Sequence, residues 1–224
     1  MKKILVGILT LAGAAAVFAQ GTITFGNQTG GFIAPIFGPN PANPGVMQTG
    51  AASGVAGVTP TGTTVYGGPL LSGSGYTMGL FVAASGVTDT TKFTLAGTSP
   101  FRTAASATAL PNGLVSASLL TITGTPAGGN VNFIIAAWDN VGGTFSPLTL
   151  AALSAGGHAW GSTAPITSAG VGGVDAGGNP VIPPFTTGWA SFSLASGGAI
   201  VPEPTTIGLA GLGLASLLAI RRRK

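Results

Sequence analysis

The chain has 224 residues, of which 45% are hydrophobic, only 5% are charged and none is cysteine. Disulfides therefore cannot hold the fold, and the chain is unlike disordered proteins, which high charge and low hydrophobicity keep open. Six of the eight basic residues lie at the two ends, so residues 20–201 keep two basic and three acidic side chains, a net charge of 2 − 3 = −1. A nucleic-acid partner needs a basic face, and this body is predicted to have none.

The first residues have the features of a targeting segment. Met1-Lys2-Lys3 provides a basic start, residues 4–17 form an apolar run, and Val17-Phe18-Ala19 ends it with the small residues that signal peptidase reads. A strand-like pattern follows at once, which disfavours a buried N-terminal helix of a cytosolic protein. We predict a secretory signal peptide at residues 1–19, cleaved after Ala19.

The chain between the two ends has the patterns of strands. Four segments alternate apolar and polar residues, which is typical of half-buried strands with one polar face. Their apolar faces are Ile23 and Phe25; Tyr76, Met78, Leu80 and Val82; Phe93 and Leu95; and Ala190, Phe192 and Leu194. Residues 114–122 and 131–138 are apolar on both faces, so we expect central strands that are covered from both sides.

Glycine and proline, with 39 and 16 residues, mark the loops. Two long loops are predicted, at residues 30–62 and 154–187, because proline cannot donate to a sheet ladder and so neither segment is expected to hold a central strand. Residues 20–200 are predicted to form one all-β domain, an antiparallel β-sandwich with long Gly/Pro-rich loops. We expect regular helix only in the N-terminal signal helix and in a C-terminal hydrophobic helix.

The C-terminal residues 201–224 have three parts in order. Pro202-Glu203-Pro204 is followed by an apolar stretch at 206–220 and then by a basic cluster. That cluster consists of Arg221, Arg222, Arg223 and Lys224. The apolar stretch is short for a membrane span, and the cations would hold it with the body outside the inner membrane. We predict a transient inner-membrane anchor, and an ordinary unprocessed anchor is the alternative.

This order resembles the PEP-CTERM sorting domain. The resemblance implies that an exosortase in the inner membrane recognises and cuts this tail, with Pro202, Glu203 and Pro204 as the motif. Two prolines resist helix formation, so the segment would stay extended beside the membrane, within reach of a protease. The resemblance further implies an association with extracellular polysaccharide production.

Residues 20–201 offer few side chains for catalysis or metal binding. Apart from tyrosines they are Asp89, Lys92, Arg102, Asp139, His158 and Asp175. One histidine without cysteine does not make a usual zinc site, and no serine has glycine both two residues before and two residues after it, as a nucleophile elbow requires. Calcium would find oxygens at Asp139-Asn140 or at Asp175 and Asn179, where turn-forming roles are favoured. We predict no catalytic residue, no cofactor and no metal site.

Three tryptophans form a candidate binding surface. On an exported sandwich, Trp138, Trp160 and Trp189 would serve as a platform for sugar rings, and burial in the core is the favoured alternative. Asn27-Gln28-Thr29 matches a glycosylation acceptor, although the tripeptide is too common to carry weight alone.

The sequence thus predicts a non-catalytic exported protein. It would be an inner-membrane precursor, then a cell-surface or extracellular-matrix protein, with signal peptidase, an exosortase-type protease and extracellular polysaccharide as partners. The alternative is a carbohydrate-binding β-sandwich module of the exopolysaccharide layer. A hydrolase is less favoured, because paired carboxylates are not evident among three acids.

Overall fold

The computed structural model describes residues 20–106, 110–168 and 170–196. The predicted signal helix and the predicted C-terminal hydrophobic helix lie outside these ranges. The strands are β1 (Gly21–Phe25), β2 (Gln28–Thr29), β3 (Phe32–Ile33), β4 (Tyr76–Ala84), β5 (Thr94–Pro100), β6 (Ser118–Ile122), β7 (Val131–Asp139), β8 (Trp160–Ser162), β9 (Ile166–Thr167), β10 (Gly173–Val174) and β11 (Pro180–Val181). A short 3₁₀ turn spans Thr90–Lys92 and one α-helix, α1, spans Leu150–Ala155. The all-β class is confirmed.

The main sheet is antiparallel and is built around β7. Its order is β5-β4-β7-β8, and β9 also pairs with β7. All residues of β7 except the last are buried, because apolar side chains alternate onto two covered faces. The long pairing of β4 with β7 places Leu80 opposite Ile135 and Thr77 opposite Trp138. The expectation of a covered central strand at residues 131–138 is confirmed.

The first face of the main sheet carries the larger hydrophobic cluster. Met78 and Leu80 of β4 meet Phe133 and Ile135 of β7 there, all of them almost fully buried. Residues from β1, β3, β6 and irregular segments cover them, namely Ile23, Phe25, Phe32, Ile36, Leu71, Val115, Ile122, Trp189, Phe192 and Leu194. Burial of this apolar surface provides the main driving force for the fold.

The opposite face carries a second cluster, the helix-side cluster. Phe81 and Trp138 pack edge to face, with ring centroids 6.1 Å apart. Helix α1 covers them with Leu150 and Leu153, and Thr149 caps the helix by accepting a hydrogen bond from the Ala152 amide at 3.1 Å. The predicted polar face of β4 is therefore wrong, since Phe81 is fully buried under this helix.

The predicted sandwich is not confirmed. Strands β1 and β6 form only a two-stranded sheet, as do β2 with β3 and β10 with β11. Much of the remaining chain is held by isolated bridges, such as Phe37 with Ser193 and Thr49 with Phe192. Among the described residues, the main sheet is thus covered largely by irregular segments.

Four further sequence expectations differ from the structure. Residues 190–194 form isolated bridges rather than a strand, and Ser191 and Ser193, expected on the polar face, are buried. In the segment 114–122 only β6 is a regular strand, and Leu119 is 61% exposed. The predicted loop at 154–187 contains β8 and β9, both paired with the central strand. Regular helix also occurs in the body, as α1.

Candidate functional site

The predicted processing residues lie at the ends of the chain. Ala19, Pro202, Glu203 and Pro204, with the cluster Arg221, Arg222, Arg223 and Lys224, fall outside the described residues. The structure does describe where the body meets both ends. At the first, exposed Gln20 is followed directly by β1, whose Gly21 amide donates to the Thr125 carbonyl at 2.6 Å.

The last described residue at the other end is Ser196. Its amide donates to the Pro44 carbonyl at 2.6 Å. One residue earlier, Ala195 and Trp160 exchange two backbone hydrogen bonds of 2.9 and 3.1 Å. The chain is therefore attached to the body up to Ser196, and five residues, 197–201, lie between Ser196 and Pro202.

The three tryptophans of the predicted sugar platform are buried. Trp138 is inaccessible and its Nε1 donates to the Phe145 carbonyl at 3.1 Å. Trp160 and Trp189 are each 7% exposed. Trp138 and Trp160 belong to the helix-side cluster, whereas Trp189 belongs to the cluster on the other face of the sheet. These side chains do not share an exposed surface, and their placement matches the alternative of core packing.

Asp139 and His158 form a pair that sequence reasoning missed. The Oδ1 of Asp139 lies 2.9 Å from Nδ1 of His158, and its Oδ2 accepts from the Ala159 amide at 3.0 Å. The imidazole stacks on Phe145, with centroids 4.2 Å apart. Nε2 of His158 makes no hydrogen bond to any described residue, and no serine joins the pair as a nucleophile would. The pair fastens the turn that leads into β8.

Of the two remaining aspartates, Asp89 is exposed and Asp175 is partly exposed, and both hold turns. Hydrogen bonds from the Thr91 hydroxyl and amide lower the pKa of Asp89, which caps the 3₁₀ turn. Hydrogen bonds from Asn179 lower the pKa of Asp175, whose Oδ1 also accepts from the Gly177 amide at 2.9 Å. For Asp175 this is the turn-forming role that the sequence favoured over calcium binding. The described residues contain no group of three or more His, Cys, Asp or Glu placed to hold a metal ion.

A cavity of about 300 Å³ lies between β1, β7, β9 and the segment 184–188. Ile23, Phe133 and Ile166 contribute apolar surface, and no charged residue lines it. Ser168, also in the lining, is 6% exposed, and its hydroxyl is buried without a hydrogen-bond partner. The volume is at the lower end of the range for small-ligand sites. Sequence patterns gave no signal for this cavity, because distant segments form it.

The comparisons with known proteins bear on the C-terminal end. Residues 201–224 match the family model of the PEP-CTERM protein-sorting motif. The chain carries this motif, which implies an exported protein that an exosortase sorts towards the cell surface. No curated protein and no solved structure matches the chain. Within the described ranges, none of the helices has the length and hydrophobicity needed to cross a membrane.

Proposed function

We propose that this protein is a non-catalytic component of the cell surface or extracellular matrix, released from the inner membrane after removal of both ends. The observation that carries the proposal is the sorting motif at residues 201–224, attached to an all-β body. The motif would direct sorting and processing, and the body is the part that would reach the cell surface or the matrix. Its partners in processing would be signal peptidase and an exosortase-type protease.

The surroundings of the acidic side chains support a non-catalytic body. Asp89 and Asp175 hold turns through local hydrogen bonds, and Asp139 holds His158 and the Ala159 amide. Acid–base catalysis needs titratable groups that converge on a substrate site. In the described ranges each aspartate carboxylate instead makes hydrogen bonds in a separate part of the fold, and no charged residue lines the cavity of about 300 Å³.

Two tail variants test the processing part of the proposal. Replacing Pro202, Glu203 and Pro204 with alanine removes the helix-resisting segment, so uncleaved precursor should accumulate in the inner membrane. Replacing residues 221–224 with serine removes the cations that hold the tail at the cytoplasmic face, so the chain should be misplaced instead. Fractionation and immunoblotting would separate the two failures. If the wild-type chain keeps its tail in a host with an active exosortase, the tail is a plain membrane anchor.

Carbohydrate binding is a second candidate function, and the cavity is the observation that favours it. A neutral sugar unit presents both apolar C–H faces and hydroxyl groups, and the lining combines Phe133 and Phe185 with Ser168 and Thr187. Phe133 and Ser168 are almost fully buried, so contact with a ligand would fall mainly to Phe185 and Thr187, which are more exposed.

Affinity electrophoresis in neutral polysaccharides tests the cavity. Phe185→Ala should abolish any retardation, whereas Val141→Ala, at a 76% exposed position outside the lining, should leave it unchanged. Equal retardation of both variants would place binding elsewhere. Wild-type mobility that no host polysaccharide changes would remove this second candidate.

A further inference from the structure

The body holds Ser196, the last described residue before the sorting tail, at one fixed place on its surface. The Ser196 amide donates a hydrogen bond to the Pro44 carbonyl, and the backbone groups of Ala195 and Trp160 donate to and accept from each other. Residues 191–195 are all buried, so the last turn of the described chain is part of the core rather than a free extension. The described part of the chain therefore ends beside the loop of residues 39–46.

The distance from Ser196 to the sorting motif is limited by the covalent chain. Five residues, 197–201, separate Ser196 from Pro202. A fully extended chain advances at most about 3.6 Å per residue, so the six steps from Ser196 to Pro202 span at most about 22 Å. A protease that reads Pro202-Glu203-Pro204 at the membrane must therefore come close to the surface around Pro44.

That surface is built from hydrogen-bonded turns and carries no charged side chain. The loop is held by its own turns, since the Ala42 amide donates to Asn40 Oδ1 at 3.0 Å and the Asn43 amide donates to the Asn40 carbonyl at 3.0 Å. Residues 41–46 are exposed, and Val46 is 51% exposed. The body contains no charged residue before Asp89. Charged residues are depleted at the centres of protein interfaces, so this loop suits close contact with another protein.

We propose that the loop of residues 39–46 is the surface that meets the exosortase-type protease while the tail is held for cleavage. This inference rests on the proposed function and adds an orientation to it. Pro44 and Val46 of the folded body would face the membrane protease, and residues 197–201 would serve as a spacer of a required minimum length.

Changes in spacer length test the inference in the full chain. Deleting residues 197–199 shortens the reach by about 10 Å, so the processed form should be lost and precursor should remain in the inner membrane. Replacing the same residues with Ser-Gly-Ser restores the length and should restore processing. A Ser-Gly-Ser insertion after Ala199 should be processed as the wild type is, because extra reach does no harm.

A charge at the loop tests the contact itself. Val46→Glu places a carboxylate on the proposed surface, where an approaching protein would have to strip its hydration, so processing in a pulse-chase experiment should slow. Val174→Glu is the matched control, since Val174 is also 51% exposed but lies on β10. Its processing rate should equal that of the wild type.

The outcomes separate this inference from the proposed function. A wild-type chain that is never processed refutes the proposed function. Normal processing of the deletion variant, beside normal processing of the wild type, refutes the spacer requirement alone. Equal rates for the two glutamate variants would show that the protease meets another face of the body.

Discussion

Replacement of Asn27 tests how the irregular segments are held together. Its side chain is fully buried and joins three parts of the chain. Nδ2 donates to the carbonyls of Ala34 at 3.0 Å and Gly113 at 2.7 Å, and Oδ1 accepts from the Val115 amide at 2.9 Å. The nitrogen that glycosylation would modify is thus engaged inside the fold, which leaves the acceptor tripeptide without an available amide.

Asn27→Ala removes three buried hydrogen bonds at once. With about 1 kcal/mol for each, the free energy of unfolding should fall by about 3 kcal/mol, and more if the backbone groups stay without partners. Asn27→Asp should be less stable still at neutral pH, because a carboxylate oxygen would face two carbonyl oxygens in place of the amide NH₂ group. The free energy of unfolding should therefore be highest for the wild type, lower for Asn27→Ala and lowest for Asn27→Asp.

Urea unfolding of the exported body, residues 20–201, followed by circular dichroism, measures these differences. Asn43→Ala is the control, because Asn43 is exposed and its side chain makes no hydrogen bond to a described residue. Its free energy of unfolding should lie within about 0.5 kcal/mol of the wild-type value. An equally small change for Asn27→Ala, or a more stable Asn27→Asp, would refute the role given to this side chain.

Three further outcomes are expected. Burial raises the pKa of the Tyr66 phenol, so above about pH 10 this phenol loses its proton in the unfolded chain before it does in the folded chain. The free energy of unfolding should then fall by at most about 1.4 kcal/mol per pH unit before solvent screening, and Tyr66→Phe should reduce that fall. Gly79→Ala should lower the melting temperature, since its Cβ would lie 2.7 Å from the Trp138 ring, whereas Gly75→Ala meets no atom within 4 Å and should not. Signal peptidase should cut after Ala19 in urea-unfolded precursor but not in folded precursor, as gel electrophoresis of the products would show.

The parts of the fold that sequence predicted are those decided by local pattern. In β1 the alternation of Ile23 and Phe25 with two threonines matches the observed burial, because alternate side chains of a strand point to opposite faces and only one of these faces the core. The unbroken apolar run of β7 likewise indicated a strand covered on both sides. The tail motif was also found from sequence, since it depends on the order of three short segments and not on a tertiary contact.

The parts that sequence missed depend on contacts between distant segments. Strand β8 has only three residues within a Gly/Pro-rich stretch, and it forms because Trp160 pairs with Trp138 and is buried in the helix-side cluster. That pairing also brings His158 to Asp139, nineteen residues away in the chain. Composition likewise could not tell a buried tryptophan from an exposed one, because the ring serves both roles.

The two ends of the body differ in how close they bring a processing protease to the fold. Strand β1 begins at Gly21, two residues after Ala19. It pairs with β6 and forms isolated bridges with Gly172 and Phe185, which come much later in the chain. A protease needs several extended residues around its cut, so cleavage after Ala19 fits only a chain in which β1 is still unpaired. At the other end, five residues separate Ser196 from Pro202. The C-terminal cut therefore suits a body that has already folded, and under the proposed function export, folding and release would follow in that order.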